Sequence, residues 1–405
     1  MSNARFSDRM DHIGYSVSLA LIGKVRAMRQ RGIEVIDFGK QGAPPQVARL
    51  ATGEAMNQPS SAFYTDPRGS MDLRRTLAAK LAAENGILAD VDTEIIATVG
   101  AKQALFVTLL ALVDRGDEVL LEDPGYLSFE PLVRLSGATP VPVPLDKTNG
   151  YRLSIDDLRK RITPRTRVLV ICNPHNPTGR VLSGAELEAI GAVAQAFDLR
   201  VIVDEAYEHF VFDGRTHVSL AGLPGMKERT ITVQTVSKVY NMGGWRVGWL
   251  AAPAEIAQKI LAIHTHAVTC PTSFAQAGAE AAIRARIGEG DLPIAVIVEK
   301  YARQRDAMVA GLGTIPGVSC QLSEGAYFVF PDLKAFGLSS TEMSDYLLET
   351  AHVAATPGAA FGAQGEGHVR MVIKSDVAEI RRGVDRIAGA LAQLGAAARA
   401  VRIGR

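Results

Sequence analysis

The sequence predicts an α/β fold: a three-layer α/β/α large domain built on a mostly parallel sheet, plus a smaller α+β domain. Three observations carry this. From residue 94 onward, apolar runs of strand length alternate with helix-period segments, the pattern of a parallel sheet covered on both faces. At 405 residues the chain is long for a single core, and length alone suggests two or three domains. After about residue 290 the texture changes to a long helix, short apolar strands and a closing amphipathic helix.

The elements follow in order. Residues 18–32, SLALIGKVRAMRQRG, carry apolar residues at helical spacing and stop at Gly32, and VIDFG reads as a short strand. LRRTLAAKLAAENG (73–86) is a helix that Asn85-Gly86 terminates. TEIIATVG is a strand ending at Gly100, and AKQALFVTLLALVDRG a helix ending at Gly116. EVLLEDPG, TPVPVPL, RVLVICNP (167–174), RVIVDEAY (200–207), TITVQTVSK (230–238) and VGWLAAP (247–253) are strands, with GAELEAIGAVAQAFD (184–198) among the helices between them. A helix over 294–312 precedes GAYFVFPDL, VAATPGAAFG and HVRMVIK, and a last helix covers about 376–394 before a loosely held tail. The expected division is an N-terminal arm and part of the small domain at 1–45, the large domain at 46–285, and the small C-terminal domain at 286–405.

Composition narrows the function. Hydrophobic residues make up 47% and charged residues 21%, which is globular composition rather than disorder. A net charge of +1, with acids and bases interspersed, argues against nucleic acid as a partner. No apolar run is long enough for a membrane helix, and the polar start carries no signal-peptide core. Cys172, Cys270 and Cys320 are too few and scattered for a disulfide framework or a zinc site, so no metal is expected. A cytoplasmic location is the expectation.

Ligands of such sheets bind where the strands end, so strand-end residues deserve the closest reading. TVGAKQAL (98–105) turns from strand to helix at Gly100, and the free N–H groups opening that helix form an anion site. It is no dinucleotide fingerprint. ICNPHNPTG (171–179) fixes an irregular loop that can hold an Asn side chain rigidly, with His175 a structural residue. VIVDEAYEHF places Asp204 at the end of an apolar strand, where a carboxylate is costly unless it caps a helix or meets a cation. TVSKVYNMGGWRVGWL sets Lys238 between apolar segments, with Arg246 eight residues on. GHVRMVIK embeds Arg370 in an apolar strand, where its planar fork calls for an anion, internal or from a substrate.

Taken together, NPHNPTG, DEAY, and SK followed by WRVG resemble the fold-type-I, class I/II aminotransferases, which are pyridoxal-phosphate-dependent and similar to aspartate aminotransferase. The resemblance covers about residues 15–390. It implies the fold of that transferase group and a role for each matching position. Lys238 would form an imine with the cofactor aldehyde and then shuttle the proton between the substrate Cα and C4′, its pKa lowered toward neutrality. Asp204 would keep the pyridine nitrogen protonated. Asn176 and Tyr207 would hydrogen-bond the ring's phenolic oxygen, and Tyr126 would stack on the ring. The backbone amides of Ala101 and Lys102, with Thr235 and Arg246, would hold the phosphate, and the Lys102 side chain matches a lysine that in some aspartate and prephenate aminotransferases contacts the substrate's distal carboxylate. Tyr64 would reach the phosphate of a neighbouring subunit, making a homodimer with a shared active site. Arg370, with Asn176 assisting, would clamp the substrate α-carboxylate.

One departure stands out. Relatives carry a Gly-x-Gly-Glu-Pro-Asp-Phe type segment where this chain reads FGKQGAPP (38–45), which makes Lys40 and Gln41 candidate substrate-binding residues. The function expected from the resemblance is amino transfer from an acidic or broad range of L-amino acids to a 2-oxo acid such as 2-oxoglutarate, by a ping-pong mechanism. A lyase or a specialised biosynthetic enzyme on the same scaffold is the alternative, because fold and cofactor do not fix the reaction. The effector domain of a transcription regulator is disfavoured, since little sequence precedes the enzyme-like pattern.

Overall fold

The computed structural model describes residues 6–40, 42–287 and 294–403, with side chains described as far as residue 396. The N-terminal part contains α1 (Val17–Gln30), α2 (Gln46–Met56) and α3 (Met71–Asn85). The central part runs β1 (Ile95–Thr98), α4 (Ala101–Leu112), β2 (Glu118–Asp123), α5 (Phe129–Leu135), β3 (Thr139–Asp146), β4 (Arg152–Leu153), α6 (Ile155–Lys160), β5 (Thr166–Cys172), α7 (Gly184–Ala196), β6 (Arg200–Asp204), β7 (Thr230–Thr235) and β8 (Gly248–Ala251). Then come α8 (Ala254–Ala267), α9 (Ser273–Ile287), α10 (Ile294–Gly313), β9 (Phe328–Val329), α11 (Ser340–Tyr346), β10 (Thr356–Pro357), β11 (Val369–Val372) and α12 (Val377–Ile403).

Local chemistry sets many of these boundaries. Gly86 caps α3 in the left-handed region at φ +66°, as the Asn-Gly pair predicts. Ser183 and Glu186 form a reciprocal capping box at the start of α7. Three expectations need correction. VIDFG is no strand: only Ile36 makes a β-bridge, to Val353, and Phe38 turns out of the extended region at φ +52°. The helix expected to reach Gly116 ends at Leu112, because Val113 is extended and the Asp114 N–H bonds the Asp117 side chain. The tail expected to be loose continues α12 to Ile403, in keeping with its alanine-rich, proline-free sequence.

The large sheet has the order β1-β8-β7-β6-β5-β2-β3-β4 among the described residues. Strands β3, β2, β5, β6 and β7 are mutually parallel, whereas β8 and β4 pair antiparallel to their neighbours. The central strands are buried on both faces, which explains their continuous apolar sequence. One core, including Leu105, Val133, Val170 and Ile202, lies on one face. Another, including Leu169, Leu187, Ile190 and Val201, lies on the other.

A smaller antiparallel sheet, β10-β11-β9, packs with the C-terminal helices. Helix α1 joins this part of the molecule: Val25, Met28 and Val35 cluster with Leu348 and Ala354, and Lys24 pairs with Asp345 at 2.6 Å.

A buried polar network ties α3 to the sheet. The Lys80 ammonium, fully buried, donates to Glu208 at 2.6 Å, to Asn85 at 2.8 Å and to Gln234 at 2.8 Å. Gln234 Nε2 in turn donates to Glu205 and Glu208, both at 2.9 Å. Glu205 follows Asp204 and Gln234 precedes Thr235, so the network holds the strand ends on which the site is built.

Candidate active site

Parallel register brings the strand-end residues together. Cys172 lies beside Asp204 and Asp204 beside Val233, so the loops after β5, β6 and β7 leave the sheet side by side. They close a cavity of about 320 Å³ lined by Asn176, Asp204, Tyr207, Thr235 and Lys238, with Ala101, Lys102, Tyr126 and Arg246 completing it. Nine expected residues thus share one cavity. Arg370 joins them through a 2.8 Å hydrogen bond from Nη1 to Asn176 Oδ1, and its guanidinium lies between Phe328 and Phe361, 4.4 and 4.8 Å from their ring centres.

The anion cradle has a specific shape. Gly100 sits at φ +77° before α4, and a Cβ there would come within 2.6 Å of Arg246 Nη2. Glycine is required on both counts. Arg246 is itself left-handed at φ +56° and donates to the Val99 and Gly243 carbonyls, each at 3.2 Å. Such strain in a non-glycine residue is tolerated where the surroundings fix it, as at ligand clamps. Thr235 Oγ1 lies 2.9 Å from both Ser237 Oγ and the Val247 carbonyl.

Asp204 is buried and accepts the Ala206 N–H at 3.1 Å. Burial pushes its carboxyl up to about 6, against the pull of that N–H and of Lys238. Lys238 Nζ stands 5.1 Å from the Tyr207 ring centre and 6.0 Å from that of Tyr327. Burial pushes the amine down, but Tyr207, Tyr327 and Tyr126 together push it further up, so it is held above its ordinary value. The expectation of a pKa near neutrality rests on a cationic imine beside the amine; the protein's own phenols push the other way.

Among the described residues, Tyr64 and Lys40 do not line the cavity. Tyr64 is 84% exposed on the chain's surface. Lys40 reaches Asp376 at 3.7 Å instead. Gln41 lies outside the described residues.

The structure adds groups that sequence reasoning missed. Tyr327, Lys374, Asn241 and Ser237 also line the cavity. Strand alternation counted from Arg370 signals Lys374, since positions 370, 372 and 374 share a face. Tyr327 carries no such signal, being one aromatic in an apolar run. Glu122 and His175 form a buried pair beside the site, 3.6 Å apart. Burial pushes Glu122 up to about 8 and His175 down to about 3, so both are neutral at pH 7.

The charge balance is one-sided. Lys102, Lys238, Arg246, Arg370 and Lys374 surround the site, and Asp204 is the one carboxylate lining the cavity among the described residues. This donor set fits pyridoxal phosphate. A phosphate needs the Gly100–Ala101 helix start and Arg246, a protonated ring nitrogen needs a buried carboxylate, and an aldehyde needs a primary amine.

Comparison with known proteins agrees. The model of the family "Aminotransferase class I and II" matches residues 32–387. The chain is 38% identical over 392 residues to the aspartate aminotransferase of Musicola paradisiaca, covering 96% of each. It is 39% identical over 324 residues to aromatic-amino-acid aminotransferase 2 of Thermococcus litoralis, covering 80% of this chain and 82% of that one. The crystal structure of the aspartate aminotransferase from Rhizobium meliloti superposes with a TM-score of 0.88 at 32% identity, covering 96% of this chain and 99% of that chain. With its fold, its cavity and these relatives in agreement, the chain belongs to the class I and II aminotransferase family and is a pyridoxal-phosphate-dependent aminotransferase.

Proposed function

We propose that the enzyme moves the amino group of an acidic or broad range of L-amino acids to a 2-oxo acid such as 2-oxoglutarate, in two half-reactions of a ping-pong cycle. The observation that carries this reading is the convergence of Lys238, Asp204 and the Arg370–Asn176 pair on one cavity. Relatives named for aspartate and for aromatic amino acids support a range that includes acidic substrates.

When bound, pyridoxal phosphate supplies an aldehyde that captures the substrate amine and a ring that takes up the electron pair left at Cα. The chain's residues do the rest. The start of α4 and Arg246 hold the phosphate. Asp204 presents a buried negative charge to the ring nitrogen. Arg370 grips the α-carboxylate bidentately, and Asn176 holds the guanidinium in place, fixing the direction of the Cα–H bond. Lys238 removes the proton at Cα and returns one on the other side of the reaction. Tyr207, edge-on to Tyr327 with ring centres 5.2 Å apart, confines the amine from one side.

A homodimer is part of the proposal. Leu50, Met56, Phe63 and Tyr64 are exposed along α2 and the turn after it, an apolar band suited to a second copy. Cys172, Cys270 and Cys320 are unpaired, in keeping with a reducing, cytoplasmic setting. No helix among the described residues is long and apolar enough to cross a membrane.

The test is a screen of twenty amino acids against the holoenzyme, read by the change in cofactor absorbance, followed by a panel of 2-oxo acids. Stoichiometric amino transfer supports the reading. Ammonia or pyruvate released without an acceptor would instead indicate a lyase. In the same assay Lys238→Ala loses both the visible imine band and turnover; steady-state transamination by that variant refutes the assignment of Lys238.

A further inference from the structure

We propose that Tyr327 is the acid–base partner of Lys238: its phenol oxygen and the lysine amine hold one proton between them, with Lys374 as the second ammonium facing the phenol. The inference rests on the proposed function and deepens it. A base at Cα must be an unprotonated amine, yet phenols push the Lys238 amine up against its burial. A group beside it has to take the extra proton.

Tyr327 is placed to do so. It is buried and lines the cavity. Lys238 Nζ stands 6.0 Å from its ring centre and Lys374 Nζ 5.3 Å. The hydroxyl shares hydrogen bonds with Lys238 and with Tyr207. The Tyr207 ring, among the described residues, has one ammonium against it, Lys238 at 5.1 Å. The other groups facing Tyr327 are Phe210, Tyr301 and Phe328, with ring centres 5.3, 6.2 and 4.8 Å away, and the Arg370 guanidinium. Phenylalanine would meet the packing alone, so what the hydroxyl adds is its proton. Two ammonium groups beside one phenol favour its anionic form. Burial pushes Tyr327 up, but Lys238 and Lys374 outweigh it and hold the phenol below its ordinary value. Tyr301, in the same cluster, is instead pushed up to about 12 by burial.

The backbone aims the ring. Ala326 is held left-handed at φ +56°, with its N–H donating to the Phe210 carbonyl at 2.8 Å, and the Tyr327 carbonyl accepts the Ile373 N–H at 3.1 Å. Such strain persists where the surroundings over-determine it. The proton count balances. An ammonium beside a phenolate and an amine beside a phenol contain the same atoms and the same net charge. Passing the proton from Nζ to the phenol oxygen breaks one N–H bond and forms one O–H bond. The second form carries the free amine that removes the proton at Cα.

The first measurement is an ultraviolet difference titration of the full-length apoprotein, which counts tyrosines as they ionise. One tyrosine should ionise below the ordinary value of 10.0. Tyr327→Phe should abolish that step, Tyr301→Phe should keep it, and Lys374→Gln and Lys238→Ala should each move it upward. The second is kcat against pH for the holoenzyme. Tyr327→Phe should lower kcat at pH 7 by about 10- to 100-fold, with KM changing by less than about threefold. The deficit should shrink as the pH rises, because solvent base then takes the proton instead. A wild-type apoprotein with no early tyrosine step overturns the inference, as does a step that survives Tyr327→Phe. A deficit equal at every pH also overturns it, because lost packing lowers the rate uniformly. The wild-type and Lys374→Gln titrations decide the matter even where Tyr327→Phe does not fold. A holoenzyme without its visible cofactor band would sink the reading of the site and leave the titration result standing.

Discussion

Arg370 donates a 2.8 Å hydrogen bond to Asn176, which lies 194 residues earlier in the chain. The contact joins the small sheet to the loop after β5, and it leaves the remaining guanidinium N–H groups for a ligand. Phe328 and Phe361 fix the plane of that group. A fork held in one plane recognises a carboxylate by geometry as well as charge. Arg370→Lys should therefore raise KM for every amino acid alike, by about 10- to 100-fold, since a point charge keeps the attraction and loses the bidentate contact. Steady-state kinetics with acidic and neutral donors checks this. A change confined to acidic donors would move Arg370 to the distal group.

Asp204 links cofactor affinity to pH. Its carboxyl, raised to about 6 by burial, is ionised at pH 7 and becomes protonated as the pH falls through 6. The protonated form cannot neutralise a cationic ring nitrogen. Affinity of the apoprotein for pyridoxal phosphate should fall below pH 6 by up to about tenfold per unit, measured relative to Asp204→Asn, whose lower affinity lacks this component. Spectrophotometric titration from pH 5 to 8 is the measurement. Parallel curves for the two proteins would mean that Asp204 serves only as a cap for the Ala206 N–H.

Glu122 makes stability fall between pH 4.5 and about pH 8. Its folded-state value of about 8 lies above the ordinary 4.5, because burial outweighs the hydrogen bond from the Cys172 N–H at 2.9 Å. The resulting stabilisation is complete below 4.5 and is lost as the pH rises through 8. Between those limits the wild type should lose up to about 1.4 kcal/mol per unit relative to Glu122→Gln, which keeps the acceptor and offers a donor to His175. Thermal melting of both proteins from pH 5 to 9 tests it, and equal slopes would disprove it.

Lys80 should be among the costliest single positions. Lys80→Met leaves Glu208 buried beside Glu205 without its cation, a loss on the order of 3–5 kcal/mol. Glu208 is held down at about 2, with Lys80 foremost among the groups that overcome its burial, so this stabilisation is present above pH 4.5 and disappears as the pH falls toward 2. Urea unfolding at pH 7 and pH 3 should show a smaller difference between wild type and variant at the lower pH. A variant as stable as wild type at pH 7 would show that the network is dispensable.

Much of the molecule was legible in the residues themselves. Continuous apolar strands separated by helical periods specify a parallel sheet, because only burial on both faces makes such a composition stable. Gly100 stood out as the turn that opens a helix N-terminus, and Asp204 and Lys238 because a charge beside apolar segments is costly unless a partner compensates it. Tertiary structure decided what depends on distant partners. Lys40, a candidate because its loop departs from the family pattern, pairs instead with Asp376 on the surface at 3.7 Å. Tyr207, Tyr327 and Tyr126, which push the Lys238 amine up against its burial, come from three separate segments. Lys374 meets Tyr327 only through the fold, its ammonium 5.3 Å from that ring centre. Composition and period determine which segments are buried, whereas the electrostatic surroundings of a buried charge come from elements that the chain brings together only on folding.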